Sequence, residues 1–457
     1  MTLTKNSVVR LSIDDINNLG YGVARHDGMK VFVSGAVDGD ECDVKIIKVN
    51  KNYCIGKVEN IVRGSVHRQT PECPQAKSCG GCSYQSISYE HELEIKKNYV
   101  QNAFARAGLC DIKVNDTISD QKIHGYRNKA QYPIAYEDGR YKIGFYASKS
   151  HRVIDSGGCT LQPKRFAAVT ECLKEFFSRY RLSVYDEQSG KGLLRHIYLR
   201  SDSTGESVML CLVINGTTTD RDAELVEYVR GKLAYVSTVM LNVNTKNTNV
   251  VLGDEYITLF GDGYIKDVMC GVELEISPAA FYQVNHDMAE LLYKKAAELA
   301  RLEKGQTVYD IYCGIGSIGL SMHEYASKVV GVDIEPSAIE CAKRNAKECG
   351  IKNAHFFCAD ASKSEELFES AGIREGIEDA VVIFDPPRKG SSEKLISYIC
   401  KKNPLRVVYI SCNPDTLARD CTYFAKYGYV TDEVTPFDLF PRTGHVESVV
   451  CLTRQTN

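Results

Sequence analysis

Cys412 stands at the end of an apolar run, Val407-Val408-Tyr409-Ile410-Ser411, and is followed by Asn413-Pro414. A structural cysteine sits inside such a run. One at its end is offered to whatever binds beyond the strand. A second apolar run closes in the same way, with Asp385-Pro386-Pro387-Arg388. A thiolate so placed is a nucleophile. If it adds to a substrate and must later leave, a base is needed beside it. Glu447, entering the last strand after Gly444-His445-Val446, is the candidate, and His445, two positions away on the same strand face, competes with it.

Two further groups could bind. Asp310 to Gly319 contains Gly-x-Gly-x-x-Gly directly after a strand, and Asp333 ends the next strand. Such a turn cradles a nucleotide-like cofactor, and such an acid holds a ribose hydroxyl pair. Both fit a dinucleotide enzyme equally well. Cys73, Cys79 and Cys82 are closely spaced, and Cys159 follows Ser156-Gly157-Gly158 far along the chain. Four thiolates suit zinc or an iron–sulfur cluster. Spacing alone favours zinc and leaves a non-ligand role open for individual thiols.

The elements that must position these residues divide into three stretches. Residues 1–62 read as five short strands separated by Gly20, Asp27-Gly28 and Asp38-Gly39, a small barrel of the OB kind. Residues 66–275 hold the cysteine group, a helix over about 90–107, a strand over 193–200 and a helix over 220–233. From about 276 to 457 the pattern becomes regular. A helix over 287–302 precedes strands at 307–312, 329–332, 355–358, 380–384 and 407–410, with a helix over 336–349 among those between them. Alternating strands and helices predict a parallel, doubly wound α/β sheet. The strands near 431–435 and 446–453 have no helix between them and predict an antiparallel edge pair.

Composition bounds the class. The chain has 457 residues, 44% hydrophobic and 25% charged, with 18 cysteines and net charge −3. No apolar run approaches the ~18 residues of a membrane helix, and residues 1–15 lack a signal core. A cytoplasmic location follows, with thiols or metal ligands in place of disulfides. Residues 121–166 carry nine Lys/Arg against three Asp/Glu. Alone this is a solvated face; beside a site for a polyanion it is a phosphate-binding surface, to which Arg127, Lys129, Arg195 and His196 could contribute.

Three resemblances give these features a common meaning. Gly20-Tyr21-Gly22-Val23-Ala24-Arg25 and Gly39-Asp40 resemble a TRAM domain, an RNA-binding barrel. Asp385-Pro386-Pro387-Arg388 resembles the fourth-strand motif of S-adenosylmethionine-dependent methyltransferases acting on planar substrates, which sets aside the dinucleotide oxidoreductase. Carbon 5 of uracil is a poor nucleophile until a thiolate adds at carbon 6, and a carboxylate must then remove the carbon 5 proton. The stretches 277–285, 310–319, 384–390, 409–415 and 440–449 resemble the RNA uracil-5 methyltransferases.

That resemblance implies a Rossmann-like methyltransferase domain over 276–457, with Cys412 as nucleophile and Glu447 as base. Gln283, Tyr312, Asp333 and Asp385 would line the cofactor and target-base pocket; Asp333 stands where Glu is frequent. Asp360 would approach the adenine. Cys73, Cys79, Cys82 and Cys159 match the members that carry a 4Fe–4S cluster, which reverses the preference for zinc. Those members methylate 23S ribosomal RNA, whereas relatives acting on transfer RNA generally lack cluster and barrel. The central α+β domain would then be an iron–sulfur domain. A transfer RNA enzyme and a non-catalytic iron–sulfur RNA-binding protein are the alternatives. The base must be extruded from the RNA, and Phe281 could fill the vacated stack or be a core residue. No obligate protein partner is implied.

Overall fold

The computed structural model describes residues 3–156, 158–360 and 377–455; Gly157 of the second cysteine motif lies outside them. The first stretch is a six-stranded sheet in the order Val8–Ser12, Glu41–Val49, Tyr53–Arg63, Met29–Ser34, Tyr21–His26, Asp15–Ile16. Alternation along these strands turns Val31, Val33, Val44 and Ile46 inward onto Leu11 and Ala24.

The middle of the chain builds a seven-stranded sheet from Lys129–Glu137 to Glu255–Phe260. Helix Lys164–Tyr180 covers it through Phe166, Leu173, Phe176 and Phe177. Helix Tyr89–Arg106 does not join this sheet. Its Val100 and Phe104 pack into the C-terminal core beside Leu417 and Phe424.

The C-terminal sheet is doubly wound as predicted. Its parallel strands run in the order Ala354–Cys358, Lys328–Asp333, Thr307–Ile311, Val381–Phe384, Arg406–Ser411. Strand order reverses between Thr307–Ile311 and Val381–Phe384, and a crevice opens at the carboxyl ends of such a pair. Ile311 lies opposite Phe384, so Tyr312 and Asp385 leave the sheet side by side. The two final strands are antiparallel, but they do not form an edge. Glu447–Arg454 pairs with Arg406–Ser411 on one side and Glu433–Phe437 on the other, and Lys113–Val114 covers the outer strand. A two-residue strand has no period to read, so its pairing is invisible in the sequence. Among the described residues no helix is long and apolar enough to cross a membrane.

Candidate active site

Register brings the candidate nucleophile and the candidate base together. Ser411 faces Ser448 in the last antiparallel pair, so one step further Cys412 comes opposite Glu447. Residues directly opposite in such a pair project to the same side with Cβ atoms about 5 Å apart. Both line a cavity of about 650 Å³ together with Gln283, Tyr312, Asp333, Asp360, Asp385 and His445. All six predicted cofactor and catalytic residues therefore meet in one pocket of ligand size.

Local chemistry explains the turns. Asn413 caps helix Pro414–Ala425 by accepting from the Asp415 N–H at 3.1 Å, and its amide donates to the Arg388 carbonyl at 3.0 Å. The loop after Cys412 is thus tied to the loop after Asp385. Tyr312 turns out of its strand at φ +70°, a left-handed conformation rare for a non-glycine and characteristic of functional sites. Gly316 has φ +84°, and a Cβ there would lie 2.9 Å from the Phe356 ring. Asp333 accepts from the Gly314 N–H at 2.9 Å and the Glu335 N–H at 2.9 Å, which holds its carboxylate against the glycine turn. Gln283 is reached from the middle sheet, where the Asn128 amide donates to its carbonyl at 2.9 Å.

The site is rich in acids that resist ionisation. Burial pushes Glu447 up to about 8, with Asp385 adding to the effect and Arg388 opposing it. Burial and then Asp310 raise Asp385 to about 7. Burial drives the Cys412 thiol up to about 12, followed by Glu447 and Asp385, while Arg388 opposes. The helix beginning at Pro414 also presents its positive end to this thiol. His445 is held down to about 4 by burial and then by Arg388 and other cations; its ring nitrogen lies 3.4 Å from Arg388 Nη2.

Three observations go beyond the sequence reading. Phe281 is 66% exposed at the pocket rim, which removes the core alternative. Arg388 lies between the base candidates, a position that its motif does not reveal. Asp310, quoted only as part of the glycine motif, anchors that turn by accepting from the Gly319 N–H at 2.8 Å, and its other oxygen is buried without a partner.

The cysteines lie elsewhere. Cys73, Cys79, Cys82 and Cys159 line a separate cavity of about 190 Å³ with Gln85, Arg127 and Phe145. The Gly81 N–H points at Cys79 Sγ at 3.4 Å. Burial pushes Cys82 up to about 11, and the neighbouring Cys159 and Cys79 add to it. No group of three or more His, Cys, Asp or Glu among the described residues is arranged to hold a metal ion.

Comparisons with known proteins show the family. Residues 88–455 match the family described as tRNA (Uracil-5-)-methyltransferase, and residues 3–58 match the TRAM domain. The chain is 39% identical over 449 residues to an uncharacterized RNA methyltransferase of Clostridium tetani, covering 98% of this chain and 97% of that one. It is 40% identical over 453 residues to one of Clostridium acetobutylicum, covering 98% of each. Among solved structures it is similar to the Pyrococcus abyssi tRNA (uracil-54, C5)-methyltransferase in complex with S-adenosyl-L-homocysteine. The TM-score is 0.78 at 27% identity, over 97% of this chain and 100% of that one.

Proposed function

Because the chain belongs to the tRNA (uracil-5-)-methyltransferase family and is an RNA methyltransferase, we propose that it methylates carbon 5 of a uridine in RNA. Cys412 is the nucleophile and Glu447 the base. S-adenosylmethionine, when bound, supplies an electrophilic methyl group. Gln283, Tyr312, Asp333 and Asp385 would hold it in the crevice, and Asp360 would approach its adenine. The Cys412 thiolate adds to carbon 6 of the extruded uracil, and electron density moves to carbon 5, which would take the methyl group as its bond to the sulfonium breaks and neutral S-adenosylhomocysteine leaves. Glu447 then removes the carbon 5 proton, the ring electrons return, and the carbon–sulfur bond breaks to free the thiolate. Phe281, exposed beside the pocket, takes the place of the base in the RNA stack.

The observation that carries this reading is the pairing of Cys412 with Glu447 across neighbouring antiparallel strands, in one pocket with Asp385 and Gln283. Its test is Glu447→Gln. Addition and methyl transfer should proceed and release should stop, so a covalent RNA–protein species should accumulate on denaturing gels. Free methylated RNA formed at the wild-type rate would remove Glu447 from the role of base.

We read the four cysteines that line this cavity, Cys73, Cys79, Cys82 and Cys159, as the ligands of a 4Fe–4S cluster. A single zinc ion binds sulfur at ~2.3 Å and draws four sulfurs to about 3.8 Å from one another. Four thiols lining one cavity of about 190 Å³, with the Gly81 N–H aimed at Cys79 Sγ, support the larger body. The division at 1–62, 66–275 and 276–457 assigns the cluster to the middle part.

The RNA target is read as 23S ribosomal RNA on the cysteine quartet. Transfer RNA is the second reading, and one observation favours it. The Pyrococcus abyssi protein named for transfer RNA matches 97% of this chain, so domain layout does not separate the two. Mapping 5-methyluridine in both RNAs from cells lacking this protein decides between them. All 18 cysteines are unpaired, in keeping with a reducing cytoplasm.

A further inference from the structure

Arg127 stands between the two cavities. Its guanidinium lines the cysteine cavity. The same guanidinium carbon lies 5.9 Å from the centre of the Phe440 ring, and Phe440 packs edge-on against His445 at 5.8 Å. Phe440 and His445 are the wall of the reaction pocket nearest Glu447 in sequence. The backbone is fixed on both sides of this contact. Arg127 pairs with Asn285, two residues past Gln283, and the Tyr126 hydroxyl donates to the Pro441 carbonyl at 2.9 Å.

Charge makes the position unusual. Arg127 donates through Nε to the Tyr126 oxygen at 3.2 Å, and among the described residues it forms no ion pair with a carboxylate. Asp155 also lines the cysteine cavity, but its carboxylate is bound by Lys174 at 2.8 Å. Two more cations stand close by without carboxylate partners. Arg200 lies opposite Lys129 in the middle sheet and is fully buried, with Nη1 unsatisfied. Burial, then Arg200 and Arg127, push Lys129 down to about 8. Buried charge is tolerated when an opposite charge is near. The cavity groups beside Arg127 that can supply one are the thiols of Cys82 and Cys159, with Cys73 and Cys79 lining the same cavity.

We propose that Arg127 is a positioning residue for methyl transfer: its guanidinium balances the anionic four-cysteine centre and, held there, braces Phe440 and the His445 wall of the reaction pocket. This rests on the cluster reading above. The loop that carries His445 leads into Glu447 within two residues, so a shift of the guanidinium reaches the base through two ring contacts.

The test uses the full-length, reconstituted protein with Arg127→Gln and Arg127→Lys. Iron and sulfide per chain are measured first on the wild type; absence of a four-iron centre there overturns the cluster reading itself. With the cluster present, removing a positive charge beside it disfavours the reduced state. Arg127→Gln should lower the midpoint potential by about 59 mV for a tenfold change in a one-electron equilibrium. It should also lower kcat about tenfold with KM for the cofactor unchanged. Arg127→Lys should restore the potential and recover kcat only in part, because an ammonium lacks the planar face that rests on Phe440. Iron lost in Arg127→Gln and regained in Arg127→Lys also supports the charge role. An unchanged potential in iron-loaded Arg127→Gln, or iron lost equally in both folded variants, overturns the proposal.

Discussion

Two buried acids of the reaction pocket, Asp385 and Glu447, and Asp310 beneath its glycine turn define the response to pH. Asp310 and Asp385 are raised to about 7 and Glu447 to about 8, each chiefly by burial. The folded protein therefore keeps protons that the unfolded chain has already released above the ordinary carboxylate range. Stability from these groups is full at low pH, falls as pH rises toward 7 to 8, and levels off beyond. Thermal melting of the cofactor-free protein should show that decline between pH 5.5 and 8.5. A cationic sulfonium gains from the same ionisation. Calorimetry should find S-adenosylmethionine binding tightened about tenfold from pH 6 to 8.5, since 1.36 kcal/mol corresponds to one pKa unit. S-adenosylhomocysteine, with a neutral sulfur, should change less than threefold. Equal gains for both would show that the acids do not face the sulfonium. At Cys412, replacement by Ala should abolish both methylation and adduct formation while cofactor affinity stays within threefold. Retained turnover of uridine would end the covalent scheme.

At the scale of elements, the loop ahead of Glu447 is held from outside its own sheet. Lys96 of helix Tyr89–Arg106 is fully buried and bridges Glu92 at 2.7 Å and Asp438 at 2.5 Å, while also donating to the Phe440 carbonyl at 3.2 Å. The Arg442 backbone N–H donates to Glu92 at 2.8 Å and its side chain to the Ile87 carbonyl at 3.0 Å. Lys96→Met should leave Asp438 without its cation and Glu92 with only Arg442, 3.6 Å away, and cost about 3–5 kcal/mol in chemical denaturation. Adding Glu92→Gln should recover part of that loss. Asn285→Ala removes the cap that accepts from Met288 and should cost about 1 kcal/mol.

These same elements mark what a sequence discloses. The doubly wound sheet is legible because strands of four to six apolar residues alternate with amphipathic helices. Cys412 and Glu447 are legible because each stands at the end of such a strand. Lys96 is not, since a lysine on a helix reads as a solvated residue until tertiary packing supplies its partners. Nor is Arg127, whose meaning lies in two cavities built from distant segments.

The whole molecule is tied together at the catalytic loop. The N–H groups of Ser83 and Tyr84, directly after Cys82, both donate to the Arg442 carbonyl at 3.0 and 3.1 Å, and the Tyr84 hydroxyl donates to the Asn17 carbonyl at 3.0 Å. Barrel, cysteine segment and methyltransferase sheet therefore meet within a few residues of Glu447. At Gly444 the barrel turn approaches closely: a Cβ built there would lie 1.7 Å from the Asn18 carbonyl oxygen. Gly444→Ala should push the barrel turn away. Steady-state kinetics should show kcat/KM for RNA reduced at least tenfold, with S-adenosylmethionine affinity within threefold of wild type. An unaffected RNA kcat/KM would separate the barrel from the catalytic loop.

That close approach also restricts how such chains can diverge. A residue longer than glycine at 444 is compatible only with a shortened or absent barrel turn at 17–20, so the two positions should drift in step across related sequences. Homologues without the barrel are released from the restriction and should carry ordinary side chains there.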